Sequence, residues 1–547
     1  MNASMRAPAT TPSIPTSLWQ SAAGSIVLHA RWPVRLGLAA FAALLAWNFV
    51  DYLATAIQAI AYPFELDYGE GIVWQQMILL LAGHGYGRID GLPAIVFHYP
   101  PLYHAAVGYL SAWTGMDQLS TGRLLSVGST LVMAGFVGAV VAELSPANAG
   151  RPAARTAALL TALIVLGLLP VQLWSYLMRV DMISLACTFA GFYFGLRALR
   201  QPGAIHIAAI LFVAAVYGKQ TALAAPVAVF GVLLFLRPRT ALAGIATGAG
   251  LGLAVLTPLM WHTDGGFLRH ILSYNINRVR WAGLMDIVAM VHYHYPYIFA
   301  LLFSIFVWLR RLPVGFFTEG GALGLRRRLL ASDADAAYVM ALAYFLVATP
   351  MLALVLKSGA SVNYFIEWGC LVAIFAGLAV VDAAALALNR PPADKAHVLL
   401  IPLIALLAFQ AYLLLNHAGN RLAGYAYRRA EMVQLVELVK AAPKPIVSDD
   451  MVVLLRAGKS VVLEPSIYAE LTGTGAWSER PFIEKIRAHD FAFLIADGKA
   501  GEEVYDSRYS RTASQEILKE YPVVRSLAGY RLQFPAGPLP AYAAHLR

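Results

Sequence analysis

The chain has 547 residues, 59% of them hydrophobic and 13% charged, with a formal net charge of +10 and a mean hydropathy of +0.63. A soluble globular chain carries about 25% charged residues, so this composition excludes an ordinary water-soluble fold and points to a chain held mostly in lipid. Its two cysteines, Cys187 and Cys370, lie in apolar runs, which excludes a disulfide framework or a metal–thiolate cluster.

Residues 1–34 form a Ser/Thr/Pro-rich tail without a cleavage pattern, so the first apolar stretch, 35–61, reads as a retained anchor. A membrane-crossing helix needs about 20 apolar residues. Candidate spans are 35–61, 119–143, 154–170, 182–199, 204–218, 220–236, 240–261, 291–309, 337–356, 365–388 and 397–416. The pair 204–218 and 220–236 is short enough to form a hairpin that does not cross fully. The expected fold class is a polytopic α-helical membrane protein of about eleven transmembrane helices.

Arginine and lysine alternate between loops. Arg31 and Arg35, Arg151 and Arg155, Arg197 and Arg200, Arg237 and Arg239, Arg310 to Arg328, and Arg390 with Lys395 define one side, expected to be cytoplasmic. The positive charge is therefore a topology signal, and nucleic acid is not expected as a partner. The other side holds 62–118, 171–181, Lys219, 262–290, 357–364 and everything beyond 416. From about Asn420 the composition changes. Strands are expected at Ile446–Ser448, Ser460–Leu463, Phe491–Ile495 and Gly529–Phe534, with a helix over Met451–Ala457 ended by Gly458. The expected organisation is a cytoplasmic tail (1–34), a transmembrane domain (35–419) and a small extracytoplasmic α/β domain (420–547).

The outward loop 62–118 is long enough to be functional. It opens with Glu65-Leu66-Asp67-Tyr68-Gly69-Glu70-Gly71, three carboxylates beside the membrane, where they repel one another and are costly to desolvate. Asp67 and Glu70 read as candidate catalytic acids and Glu65 as a solvated flank. The segments 73–81 and 102–113, the latter started by Pro100-Pro101, are expected to lie on the membrane interface. Asp181, in Arg179-Val180-Asp181, is a third candidate acid, with a helix cap as the plain alternative. Arg179, Lys219, Lys357, Asn363 and Tyr364 are outward cationic and polar residues suited to an anionic group, the alternative for the cations being snorkelling toward headgroups. His84, His98 and His104 are spaced too irregularly for a metal site, and no Gly-rich phosphate loop follows a strand.

Asp67-Tyr68-Gly69-Glu70-Gly71, Tyr99-Pro100-Pro101-Leu102, Arg179-Val180-Asp181, Lys219-Gln220-Thr221 and Ser361-Val362-Asn363-Tyr364, in this order and on one side of the membrane, resemble the GT-C glycosyltransferases. Among these, the chain is similar to the bacterial relatives of dolichyl-phosphate-mannose–protein mannosyltransferases and to the lipid A aminoarabinose transferases. The resemblance spans about 35–416. It implies an inverting transfer of a sugar from a polyprenyl-phosphate donor to a lipid, polysaccharide or protein acceptor, on the outer face of a bacterial inner membrane. It also implies Asp67 as general base, with Tyr99 and the cationic residues on the substrate. No cofactor is expected. Some relatives carry two adjacent acids where Asp67 and Glu70 stand three apart, which leaves the part of Glu70, and of a divalent metal, open. A transporter or lipid flippase is the alternative, and a non-catalytic assembly or sensor protein a third.

Overall fold

The computed structural model describes residues 16–275, 277–388, 399–415 and 422–546. The expected Arg390–Lys395 loop and the expected boundary at 419–420 lie outside the described residues. The chain is helical from α1 (Thr16–Ala61) through α2 (Tyr68–Leu81), α3 (Leu102–Thr114), α4 (Gln118–Leu144), α5 (Arg151–Gly167), α6 (Leu169–Trp174) and α7 (Asp181–Arg197). It continues through α8 (Ala204–Gly218), α9 (Ala224–Leu236), α10 (Pro238–His262), α11 (Gly266–Ile271), α12 (Gly283–Tyr293) and α13 (Tyr295–Arg311). Then come α14 (Gly321–Ala331), α15 (Asp333–Met351), α16 (Tyr364–Ala387) and α17 (Leu400–Leu414).

Every expected span is a helix or lies largely within one, but their lengths differ. Five stretches are long and apolar enough to cross a membrane: Trp32–Ala61, Gln118–Leu144, Pro238–His262, Asp333–Leu356 and Tyr364–Ala387. This makes the chain a multi-pass membrane protein. The expected span at 291–309 is instead a pair, α12 and α13, bent by 71°. α8, α9 and α17 are shorter apolar helices. α16 is the axis of the bundle, with 89% of its apolar window buried, whereas α10 buries 6% and lies at the rim. A helix apolar on all sides is stable at either place in a membrane protein, because the alternatives are protein core and lipid.

The bundle has two polar ends. At one, Arg200 pairs with Glu143 at 2.7 Å and with Asp333 at 3.7 Å, and Arg237 with Asp333 at 3.3 Å. At the other lie the starts of α2, α7 and α16 and the ends of α8 and α15. Two helices of the first long loop, α2 and α3, cover this second end. α3 starts after Pro100-Pro101 as expected and turns Tyr109 and Trp113, 70% and 84% exposed, outward, a placement suited to a membrane interface.

Residues beyond Leu422 pack on the same end. They comprise α18 (Ala423–Ala441), β1 (Val447–Ser448), α19 (Met451–Arg456), α20 (Pro465–Gly473), α21 (Arg480–Arg487), β2 (Leu494–Ala496), α22 (Glu503–Asp506), α23 (Arg511–Glu520), β3 (Val523–Leu527) and β4 (Tyr530–Phe534). The sheet order is β1-β2-β4-β3, with β1 parallel to β2 and the other pairs antiparallel. β3 and β4 are joined by Ala528-Gly529, both at positive φ, as a tight two-residue hairpin requires. β3 was not expected from sequence. The expected strand at Ser460–Leu463 does not join the sheet. Its end instead meets the first outward loop, where Ala94 N donates to Val462 O at 2.8 Å.

Candidate active site

Asp67 is the N-cap of α2. Its backbone is extended (φ −148°, ψ 134°) and its Oδ1 accepts from Gly69 N at 3.0 Å, satisfying one of the free amides of the helix start. Arg179 Nη1 reaches the same oxygen at 3.2 Å. Gly69 makes this contact possible: a Cβ there would lie 0.9 Å from Arg179 Nη1. Gly71 serves a different approach, since its Cβ would lie 2.7 Å from Met451 Cβ of α19. The two glycines of the acidic motif thus admit an arginine from the bundle and a helix from the C-terminal part. Asp67 Oδ2 has no partner among the described residues, and its side chain keeps 29% exposure. Burial pushes the Asp67 carboxyl up and Glu70 adds to this, while Arg179 opposes it.

Glu70 does not share the site. It is fully buried and takes four donors: Arg123 Nε (2.8 Å) and Met178 N (2.8 Å) on Oε1, Arg123 Nη2 (2.6 Å) and Leu66 N (2.8 Å) on Oε2. Arg123 in turn donates to the carbonyls of Ala59, Tyr62 and Phe64. The pair ties the end of α1, the acidic motif, α4 and the loop before α7 together, and it places Glu70, expected as a catalytic acid, away from the cavity that Asp67 lines. Asp67 precedes the helix with an extended backbone whereas Glu70 lies within its first turn, so the two carboxylates leave the chain in different directions.

Asp181 opens α7 and is also engaged throughout. Its Oδ1 accepts from Lys219 Nζ (2.6 Å) and Asn363 Nδ2 (2.8 Å), and its Oδ2 from Trp174 Nε1 (2.7 Å). Its contacts gather α7, the α8–α9 turn and the start of α16. Lys219 Nζ also lies 4.3 Å from the Tyr364 ring centroid, a cation–π contact. Burial disfavours the Lys219 charge, but Asp181, Tyr364 and Tyr99 outweigh it and hold Lys219 above its ordinary value. Lys357, whose Nζ donates to Asn275 Oδ1 at 2.5 Å, goes the other way. Burial and the neighbouring Lys219 charge push it down to about 8.

Asp67, Tyr99, Arg179, Lys219, Lys357, Asn363 and Tyr364, all singled out in the sequence, line one cavity of about 580 Å³. Its roof comes from the C-terminal part, which sequence reasoning did not connect to the site. Glu464, the N-cap of α20, accepts from Tyr68 Oη at 2.8 Å, and Arg508 stacks on the Tyr68 ring at 4.3 Å. Burial pushes Glu464 up to about 7. Glu470 takes Ser358 Oγ at 2.7 Å and the Arg278 side chain at 3.2 Å. The only sequence signal for this roof was Glu464-Pro465 as a helix start, and it carries no address for the partner. A second, apolar groove of about 710 Å³ runs between α8, α9, α10 and α11, and shares Gln220, Ile271 and Leu272 with the polar cavity.

Glu70, the next acid after Asp67 in the motif, is turned to Arg123. Among the described residues no group of three His, Cys, Asp or Glu side chains is arranged as metal ligands. His98 and His104 instead flank Gln76, at 3.2 Å from its Nε2 and 3.1 Å from its Oε1. Burial, with Lys357 next, pushes His98 down to about 3 and keeps it neutral.

No protein-family description and no curated protein matches the sequence. Among solved structures, ArnT from Cupriavidus metallidurans bound to undecaprenyl phosphate is similar at a TM-score of 0.54 and 13% identity, over 91% of this chain and 98% of that one. The same protein in the apo state matches at 0.54 and 13%, over 89% and 97%. The archaeal oligosaccharyltransferase AglB from Archaeoglobus fulgidus gives a TM-score of 0.43 at 12% identity, over 82% of this chain and 69% of that one. With 91% of this chain and 98% of that one aligned, this protein shares the fold of ArnT from Cupriavidus metallidurans.

Proposed function

We propose that this chain is an integral membrane glycosyltransferase that moves a sugar from a polyprenyl-phosphate donor to a hydroxyl of a lipid, polysaccharide or protein acceptor. The observation that carries it is the junction of the two cavities. A polar chamber with one partly free carboxylate and three cations opens at Gln220, Ile271 and Leu272 into an apolar groove at the rim of the bundle. That pairing suits a ligand with a phosphate head and a long hydrocarbon tail. The ArnT likeness supports it, because that protein is bound to undecaprenyl phosphate. A transporter places its ionisable groups midway along broken helices; here Asp67, Asp181 and Lys219 stand at element ends.

In this reading Asp67 Oδ2 takes the proton of the acceptor hydroxyl. The oxygen attacks the anomeric carbon on the face opposite the phosphate, the bond from that carbon to the phosphate oxygen breaks, and the configuration inverts. Lys219, Arg179 and Lys357 offset the charge left on the polyprenyl phosphate. Tyr99 and Tyr364 flank this head. Eleven spans, with the arginine end cytoplasmic, would set the chamber and the C-terminal part outside a bacterial inner membrane. The test is transfer by purified protein: a polyprenyl-phosphate sugar is expected to serve as donor and a nucleotide sugar is not. Turnover with a nucleotide sugar alone would overturn the reading.

A further inference from the structure

A row of three side chains behind the chamber wall has one consistent order of hydrogens. Gln76 Nε2, buried in α2, donates to Val96 O at 2.7 Å. A carbonyl oxygen only accepts, so the amide cannot be turned over. Its second N–H meets His98 Nδ1 at 3.2 Å, and its Oε1 accepts from His104 Nε2 at 3.1 Å. His98 Nδ1 is thus an acceptor, and the neutral ring carries its one hydrogen on Nε2. A second proton on the ring would set an N–H against the Gln76 amino group, so the same contact keeps His98 uncharged. Burial acts in the same direction, followed by Lys357, His270, Arg179 and His104. The two ring nitrogens point apart, and with Nδ1 turned into the wall, Nε2 faces away from it. His98 lines the chamber. Its Nε2, unlike the sealed Nδ1 of His104, is open to solvent.

We propose that His98 is a phosphate-binding residue of this chain: its Nε2–H, fixed in direction by the His104–Gln76 row, donates to a phosphate oxygen of the polyprenyl-phosphate ligand. This rests on the proposed transferase reading and adds a residue to it. The main chain ties His98 to both ends of that ligand's path. His98 O accepts from Gln220 Nε2 at 2.8 Å, and Gln220 stands where the chamber meets the apolar groove. It also accepts from Asn275 Nδ2 at 3.2 Å, and Asn275 Oδ1 holds Lys357 Nζ, one of the cations assigned to the phosphate. An ionised phosphate oxygen accepts and does not donate, which matches a ring that can only donate. The same arrangement excludes proton transfer by His98. Its Nδ1 lone pair is taken by Gln76, and a neutral Nε2–H is too weak an acid to give up its proton. His98 thus supplies a directed hydrogen bond and no charge, while the cations offset the charge.

The experiment uses the full-length protein in detergent and two probes, polyprenyl phosphate and the uncharged polyprenol. NMR of isotope-labelled histidine ring nitrogens, with the His98 signals assigned by their loss in His98→Gln, reports which nitrogen carries hydrogen. The expected result at neutral pH is a neutral ring with its hydrogen on Nε2, whose signal moves on addition of polyprenyl phosphate and not of polyprenol. In binding, His98→Ala is expected to weaken polyprenyl phosphate by about 10-fold or more, the usual loss for a hydrogen bond to a charged group, while His98→Gln, whose amide N–H can take the place of Nε2–H, stays within about 3-fold of wild type. Polyprenol should bind all three proteins alike. A ring protonated on Nδ1, an Nε2 signal unmoved by the phosphate, wild-type affinity in His98→Ala, or His98→Gln no better than His98→Ala would overturn the proposal. So would a loss shared by polyprenol, which would mean a merely structural role. Failure of the transferase reading looks different: wild-type protein would bind no polyprenyl phosphate, whatever the state of the His98 ring.

Discussion

Asp67 and Glu70 sit three residues apart and have opposite fates, and their substitutions should separate cleanly. Asp67→Asn keeps the shape of the cap and removes the proton acceptor. Turnover per folded molecule is expected to fall about 10²–10⁴-fold, the usual range for loss of a general base, with donor binding retained. Near-wild-type turnover would remove Asp67 from the chemistry. Glu70→Gln leaves Arg123 charged and buried without its counter-ion. Breaking a buried pair in this way costs about 3–5 kcal/mol, so the variant should show low yield and early thermal unfolding, while the fraction that folds turns over near normally. A second residue-scale effect is the pH profile. Turnover should rise with pH as Asp67, whose carboxyl is raised by burial, ionises. Donor binding should weaken as Lys357 loses its proton near pH 8. Lys219, held above its ordinary value, stays charged there. For stability the sign is that of a depressed lysine: the fold carries a cost that grows as pH falls from the ordinary 10.5 toward about 8 and is constant below. Lys357→Arg should flatten the alkaline limb of donor affinity, and an unchanged limb would assign it to another group.

At the scale of elements, the start of α2 is the most constrained point in the molecule. Alanine is a better helix former than glycine by about 1 kcal/mol, so Gly69→Ala would normally help a helix. Here its Cβ takes the place of Arg179 Nη1. The expected outcome is a protein of near-normal thermal stability with turnover down by at least about 10-fold, because Arg179 is driven off Asp67. Full activity in Gly69→Ala would show that the Arg179–Asp67 contact is dispensable. Gly69 and Gly71 were visible in the sequence as a pair, but which partner each admits depends on the loop at 178–180 and on α19, far along the chain.

For the whole molecule, the decisive prediction is topological. The bundle separates a chamber end from an arginine end bearing Arg200 and Arg237. A reporter active only in the cytoplasm is expected to work when inserted at 318–320 and to be silent when fused after Arg547. Cytoplasmic activity at the C-terminus would put the chamber on the inner face. The C-terminal part is joined to the loop end at several points, among them Arg456 on Asp117 at 2.5 Å and Tyr425 Oη on Leu66 O at 3.1 Å, so its side of the membrane and that of Asp67 must be the same.

Membrane residence, the helices near each apolar run, and the gathering of acids and cations in the loops were legible from the chain alone. They follow from local composition: apolar length, arginine alternation, and helix starts such as Pro100-Pro101. The convergence of Asp67, Arg179, Lys219, Lys357 and Asn363 was legible only as a shared side. That they line one chamber depends on packing between residues up to about 300 positions apart. Tertiary structure alone decided three things. It set Glu70 against Arg123 in α4. It made Glu464 and Glu470 part of the roof. And it set the polar chamber against the apolar groove at Gln220, Ile271 and Leu272, a junction of separate elements that no local pattern encodes.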